Sequence, residues 1–233
     1  MFSIEKKKLI FTQKLHKSEL ISVDWSPHDN NIVATCGKDN ACYLYDVQTQ
    51  KINLTITGKS QFLRLQFSHK DPSLAIACQD GSLYIRLSSG NFYIIPGGGD
   101  PLFGVAWSPF YSNLIACTDD GGGVVLFDIE TRTSTRVIGH SNKARAVAWA
   151  GSVEYLLMSG GYDGKVILWN STDMSKLAVI QAHSDHVYGI ATHPQHPYLV
   201  ITVSRDETIR EWSLDRMFHQ KEVVAALSSK GSD

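Results

Sequence analysis

The stretch Ser159-Gly160-Gly161-Tyr162-Asp163-Gly164-Lys165-Val166-Ile167-Leu168-Trp169-Asn170 decides the fold. Small residues run into a turn at Gly161-Tyr162-Asp163-Gly164, and the turn opens onto a β-branched run ending in Trp169. Glycine and aspartate suit tight turns, and β-branched and aromatic side chains suit a pleated, half-buried strand. Upstream, Ala144 to Trp149 alternates small and large apolar residues, and Tyr155-Leu156-Leu157-Met158 is an apolar run. Downstream, Leu177-Ala178-Val179-Ile180 supplies a fourth strand. The unit is thus four short strands, and no segment before residue 214 carries a long helical period.

The unit repeats. An aromatic recurs at Trp25, Phe67, Trp107 and Trp149, with Thr192 in the fifth copy, at intervals of 42, 40, 42 and 43 residues. An aspartate recurs at Asp39, Asp80, Asp120, Asp163 and Asp206, at intervals of 41, 40, 43 and 43. Two anchors on one period mark a chain built from stacked copies of one supersecondary unit.

Gly139-His140 followed by the stretch from Ser159 to Asn170 resembles one copy of the WD repeat, which ends in Trp-Asp. The copies here end Tyr45-Asp46, Arg86-Leu87, Phe127-Asp128, Trp169-Asn170 and Trp212-Ser213. The resemblance covers residues 9–213 and implies an all-β β-propeller with five recognisable blades of four antiparallel strands. The repeats fall near 16–46, 58–87, 98–128, 139–170 and 182–213, and a partly helical or disordered tail is expected at 214–233. A partial seven-bladed ring is the favoured arrangement and a closed five-bladed ring the alternative, with Leu9-Ile10-Phe11 as a strand that would close it. The last two copies also resemble large tandem-propeller WD-repeat proteins with a helical repeat tail. That analogy implies a cytoplasmic location with cilium or cytoskeleton association.

The resemblance further implies a buried hydrogen-bond chain in each complete copy, from indole through hydroxyl and imidazole to carboxylate. By position these are Trp169, Ser159, His140 and Asp163 in copy four, and Trp212, Thr202, His183 and Asp206 in copy five. Copy one has Thr35, His16 and Asp39, with Tyr45 for the indole. Copies two and three keep only the aspartate, with Ile76 and Ala116 at the hydroxyl position.

Ser159, His140 and Asp163 are also the ingredients of a hydrolase triad. The repeat accounts for all three, and no Gly-x-Ser-x-Gly elbow presents a nucleophile. Gly97-Gly98-Gly99 and Gly121-Gly122-Gly123 open no helix, so they read as turns rather than phosphate loops. His193 and His196 flank a turn with two prolines, a poor metal signal. No cofactor, metal or small-molecule substrate is expected, and the chain reads as a non-enzyme. With 22 Lys and Arg against 23 Asp and Glu, bulk charge argues against gripping nucleic acid, and no stretch is apolar and long enough to insert in a membrane. Cys36, Cys42, Cys78 and Cys117 sit in apolar runs without zinc spacing and read as buried, reduced thiols, which fits the cytoplasm.

In WD blades, the residues six and four before the recurring aromatic, and the one before the turn aspartate, reach the narrow rim. Carried over, this gives Glu19, Ile21 and Lys38 in copy one; Gln61, Leu63 and Gln79 in copy two; and Pro101, Phe103 and Asp119 in copy three. Copies four and five contribute Lys143, Arg145, Tyr162, His186, Tyr188 and Arg205, a cationic and aromatic set without an acid. The expectation is a protein-interaction scaffold that docks other proteins there, through acidic or phosphorylated segments. The alternatives are an open propeller completed by a partner in a coat- or pore-type assembly, and a substrate receptor of a ubiquitin ligase. Such receptors often carry Trp-Asp-x-Arg at blade ends, which Trp169-Asn170-Ser171-Thr172 and Trp212-Ser213-Leu214-Asp215 lack.

Overall fold

The computed structural model describes residues 2–3, 8–9, 11–151, 153–193 and 195–215. A short ribbon of β1 (Phe2–Ser3) and β2 (Lys8–Leu9) precedes five antiparallel sheets. Blade one holds β3 (Leu20–Trp25), β4 (Ile32–Gly37), β5 (Ala41–Asp46) and β6 (Lys51–Thr57). Blade two holds β7 (Phe62–Phe67), β8 (Leu74–Cys78), β9 (Leu83–Arg86) and β10 (Phe92–Ile95). Blade three holds β11 (Leu102–Trp107), β12 (Leu114–Asp119), β13 (Gly123–Asp128) and β14 (Thr133–Ile138). Blade four holds β15 (Ala144–Trp149), β16 (Leu156–Gly161), β17 (Lys165–Asn170) and β18 (Ser175–Gln181). Blade five holds β19 (Val187–His193), β20 (His196–Ser204) and β21 (Ile209–Ser213). Its fourth-strand position falls after Ser213, and the tail beyond 215 lies outside the described residues.

Each sheet is a meander in sequence order, as short turns between antiparallel strands require. The first strands stand side by side, β3 against β7, then β11, β15 and β19. None of the close strand packings brings β19 back to β3, so the described blades form an arc. Leu9 pairs with Phe2, not with blade five, so the expected closing strand is part of the small ribbon instead.

The core lies in the four seams between blades. Ala34, Cys36, Phe62 and Phe67 share one seam, and Ala75, Val105, Trp107 and Phe127 the next. Ala116, Trp149, Leu157 and Trp169 fill the third, and Met158, Val187 and Val200 the fourth. All four cysteines are free and buried in these seams, and burial pushes the Cys36 thiol up to about 12. Such thiols behave as small apolar groups.

In every blade the turn between the second and third strands has one residue with positive φ: Asn40, Gly81, Gly122, Gly164 and Glu207. This fixes the repeat register and corrects it in blade three. Gly122 aligns with Gly164, so Gly121, not Asp120, holds the turn-aspartate position. The strand pairs agree: Cys117 faces Val105 as Ser159 faces Val147, so Cys117 and not Ala116 stands at the hydroxyl position. The adjacent aspartates Asp119 and Asp120 hid the shift. The turn's carboxylate comes from Asp119 instead, which accepts from Gly123 N at 2.7 Å and from Arg136 Nε at 2.5 Å.

The hydrogen-bond chains form where the complete copies place them. In blade four, Trp169 Nε1–H donates to Ser159 Oγ at 2.9 Å. The hydroxyl lies 2.8 Å from His140 Nε2, and Nδ1 lies 2.9 Å from Asp163 Oδ1. With the oxygen occupied by the indole, the hydroxyl proton goes to Nε2, which puts the imidazole proton on Nδ1 against the carboxylate. Blade five repeats this with Trp212, Thr202, His183 and Asp206 at 2.9, 2.7 and 2.9 Å. Blade one forms the His16–Thr35 and His16–Asp39 links, both 2.9 Å. The nucleophile reading fails geometrically, because the Ser159 hydroxyl is fully buried and committed to Trp169.

Burial pushes His140 below its ordinary 6.5, more than the Asp163 hydrogen bond and charge raise it. Burial alone would raise Asp163, but His140's hydrogen bond and charge carry it below 3.8; against the same effect of burial, Asp39 is lowered by His16 and Asp206 by hydrogen bonds from Thr208 and His183. In both cases the unfolded chain binds more protons, so stability falls as pH falls. The loss begins below about 6.5, when the unfolded histidine charges, and deepens below about 3.8, when carboxylates protonate. Melting temperatures between pH 7 and pH 3 should show this two-stage decline; a flat profile would contradict it.

Candidate protein-binding rim

One device repeats at the start of every blade. The pairing of first and second strands slips by one residue at Ile21, Leu63, Phe103, Arg145 and Tyr188. A β-bulge leaves its extra residue unpaired and re-aims the side chain. These are the five residues four before the recurring aromatic. The residue before each turn is tied to the same corner, for its N–H bonds the carbonyl just ahead of the first strand. Tyr162 N donates to Lys143 O at 2.8 Å, Arg205 N to His186 O at 2.9 Å, and Asp120 N to Pro101 O at 3.0 Å. The three rim positions of each blade therefore meet at one end of its sheet.

On blades three to five they build a continuous cluster. Tyr162 and His186 stack face to face, with ring centroids 3.8 Å apart and planes 3° from parallel. Tyr188 stands edge-on to both, at 5.7 and 6.0 Å. The Arg145 guanidinium lies 3.2 Å over the Phe103 ring and 5.1 Å from the Tyr162 ring, a cation–π arrangement.

The set is not free of acids. The register shift in blade three puts Asp120 on the rim and Asp119 in the interior. Asp120 accepts from Lys143 Nζ at 2.7 Å and from Arg145 Nη2 at 3.2 Å. Asp185 lies 3.5 Å from His186 Nε2 and 3.8 Å from Arg205 Nε. All six predicted residues are thus brought together, but two carboxylates partly neutralise them. Phe103, Asp120 and Asp185 complete the cluster. Phe103 was legible from its spacing, whereas Asp120 was concealed by the doubled aspartate. Two nitrogens, Arg145 Nε and His186 Nδ1, are buried there without a hydrogen-bond partner. Elsewhere the His193 and His196 rings lie 4.6 Å apart, and the described residues contain no cluster of three metal-ligating side chains.

The family's sequence profile, described as "WD domain, G-beta repeat", matches residues 7–46, 132–170 and 174–213, about half the chain. The chain belongs to the WD40-repeat family. The matched stretches contain the three blades with a His–hydroxyl–Asp chain, whereas the blades built on Ile76 and Cys117 escape the profile. Fizzy-Related 1 of Arabidopsis thaliana is 25% identical over 217 residues, covering 89% of this chain and 44% of its own. The B-type cell cycle switch protein ccs52A of Medicago truncatula is 24% identical with the same coverage. The GATOR2 complex protein Wdr59 of Drosophila melanogaster is 23% identical over 86% of this chain and 22% of its own. The chain therefore spans under half the length of these relatives. A WD40-repeat domain of this kind is consistent with a protein-interaction scaffold.

Proposed function

We propose that this scaffold works as a receptor-type adaptor, capturing a partner polypeptide on the rim formed by Lys143, Arg145, Tyr162, His186, Tyr188 and Arg205. The reading rests on the stacked Tyr162–His186 pair, capped by Tyr188 and flanked by buried nitrogens lacking partners. Rigid aromatic groups beside arginine are the chemistry that dominates protein interfaces. Lys143 and Arg145 are held by Asp120, so an acidic or phosphorylated group of the partner is received by Arg205, the most exposed cation of the set.

Reversing Arg145 would set a glutamate beside Asp120 and on the Phe103 face, so it is a poor probe of binding. Tyr188→Ala with Arg205→Ala truncates two exposed side chains and sets no like charge beside Asp185, and exposed charges contribute little to stability. This double variant should keep the wild-type melting temperature and lose the partners that the wild-type chain captures, as read by quantitative mass spectrometry. Unchanged capture would reject the rim.

A second reading, substrate receptor of a ubiquitin ligase, is favoured by the similarity to the Fizzy-related and cell cycle switch proteins across nearly all the blades. Under it, partners captured through the rim gain ubiquitin when the chain is co-expressed, and the double variant removes that gain. Under plain scaffolding their ubiquitin level does not change.

A further inference from the structure

In blade two a cation holds the indole position of the repeat. The third-strand residue five places after each positive-φ turn residue is Tyr45, Arg86, Phe127, Trp169 and Trp212. Strand pairing agrees, for Arg86 faces Leu74 as Tyr45 faces Val33, Phe127 faces Ile115 and Trp169 faces Leu157. Phe127 and Trp169 are fully buried and close the seam to the preceding blade. Arg86 is half-buried, because a guanidinium keeps to water and Ile76 offers no hydroxyl to hold a donor.

The seam between blades one and two is filled in its buried part by Phe62 and Tyr84, set edge to face at 5.2 Å. Its outer mouth stays open as a groove of about 380 Å³, with Leu54 to Thr57 of β6 on one wall and Arg86, Gly90 and Phe92 on the other. Residues two apart on a strand share a face, so Arg86 points the same way as Tyr84, toward blade one. Phe92, directly across from Arg86, stands edge-on to Tyr84 at 5.6 Å and is 42% exposed. Ile94, two residues further along, is 50% exposed.

Charge and an open strand edge decide what fits there. Arg86 makes no hydrogen bond or ion pair among the described residues, so a cation stands in an apolar groove without its counter-charge. β6 is the outermost strand of blade one, and from Ile52 to Thr57 it carries neither charge nor proline. The outer strands of blades three and four carry Arg136 and Lys176, and that of blade two has four residues and stops before Pro96. An edge without such guards invites a further strand. The described N-terminal residues Phe11, Gln13 and Leu15 run along the opposite face of blade one, with Trp25 and Tyr45. We propose that the groove binds an extended segment of a partner polypeptide along β6. A large apolar side chain of that segment packs against Leu54, Ile56 and Phe92, and a carboxylate two residues from it pairs with Arg86. Main-chain pairing supplies the affinity and the alternate side chains the specificity. The groove lies at the end of its strands away from the rim, and its failure would leave the rim reading intact.

A random peptide library displayed on phage serves as the probe. The bait is the chain carrying Tyr188→Ala and Arg205→Ala, which silences the rim. Selection should enrich sequences with a large apolar residue two places from Asp or Glu, and adding Arg86→Glu to the bait should exchange that acid for Lys or Arg. A synthetic peptide of the first selected sequence, followed by fluorescence anisotropy, should bind Arg86→Glu at least about tenfold more weakly than wild type. Arg86→Phe restores the ring that blade three carries, so it should close the groove and abolish binding while keeping the melting temperature. Should the Arg86 variants not fold, as circular dichroism reports, Phe92→Ser on the surface should weaken the same peptide. A library that yields no common pattern overturns the groove, as does a peptide that the folded variants bind as tightly as wild type. A selected sequence that recurs in this polypeptide itself makes the occupant its own and overturns the partner.

Discussion

Trp169→Phe should destabilise the chain by about 1–3 kcal/mol, although it exchanges one buried aromatic for another. Trp169 is fully buried, and its indole N–H is the donor that occupies Ser159 Oγ. Phenylalanine leaves that oxygen in the interior with one partner fewer and leaves room around a smaller ring, where the Trp169 edge now reaches Gly139. The hydroxyl, imidazole and carboxylate then remain as a chain without its first donor, and partly satisfied buried networks are costly. Ser159→Ala removes the acceptor as well, so adding Trp169→Phe to Ser159→Ala should cost less than Trp169→Phe alone. Chemical denaturation of the two single variants and the double variant measures this coupling. Strict additivity would mean that the indole bond contributes nothing beyond packing.

The fold was legible because its anchors recur. A turn that needs a positive φ and a seam that needs a large apolar side chain leave a periodic trace, and both fell on one period of about 40–45 residues. The hydrogen-bond chains of blades one, four and five were legible for the same reason, since each requires particular side chains at fixed offsets. Blade three was misread by one residue because its carboxylate moved from the turn to the end of the preceding strand. Asp119 bonds Arg136, which also reaches Asp100 at 2.7 Å, so an arginine on the fourth strand replaces the histidine of blades one, four and five. Nothing in a linear pattern announces that substitution, because Arg136 lies on a strand with no recurring anchor. The same slip hid Asp120 from the rim. The six rim residues were legible as positions. Their mutual stacking was not, for it depends on the bulges at Arg145 and Tyr188 and on the angle between adjacent blades. The exposure of Trp25 was not legible either, since Trp25-Ser26-Pro27 has the same sequence context as the buried Trp107-Ser108-Pro109.

Gly164→Ala should be among the most damaging single-methyl additions in the chain. Gly164 closes the blade-four turn at φ +74°, a left-handed conformation that costs other residues about 1–3 kcal/mol. Its N–H bonds Gly161 O at 3.2 Å, and its carbonyl receives the N–H groups of Ala182 and His183 at 3.1 and 2.9 Å. The turn thus ties blade four to the strand that brings in His183 of blade five. A β-carbon here would sit 2.4 Å from the main-chain oxygen of His183, a group fixed on both sides and unable to swing away. The methyl must therefore either distort the turn or push back the segment that positions His183 against Thr202 and Asp206. Gly90→Ala is the matched control, with φ +87° and nothing within 4 Å of the added carbon. It bears the conformational cost alone. In denaturant titrations Gly164→Ala should lose clearly more stability than Gly90→Ala, and the difference measures the overlap with blade five. Equal losses would mean that the turn yields freely and does not hold the two blades in register.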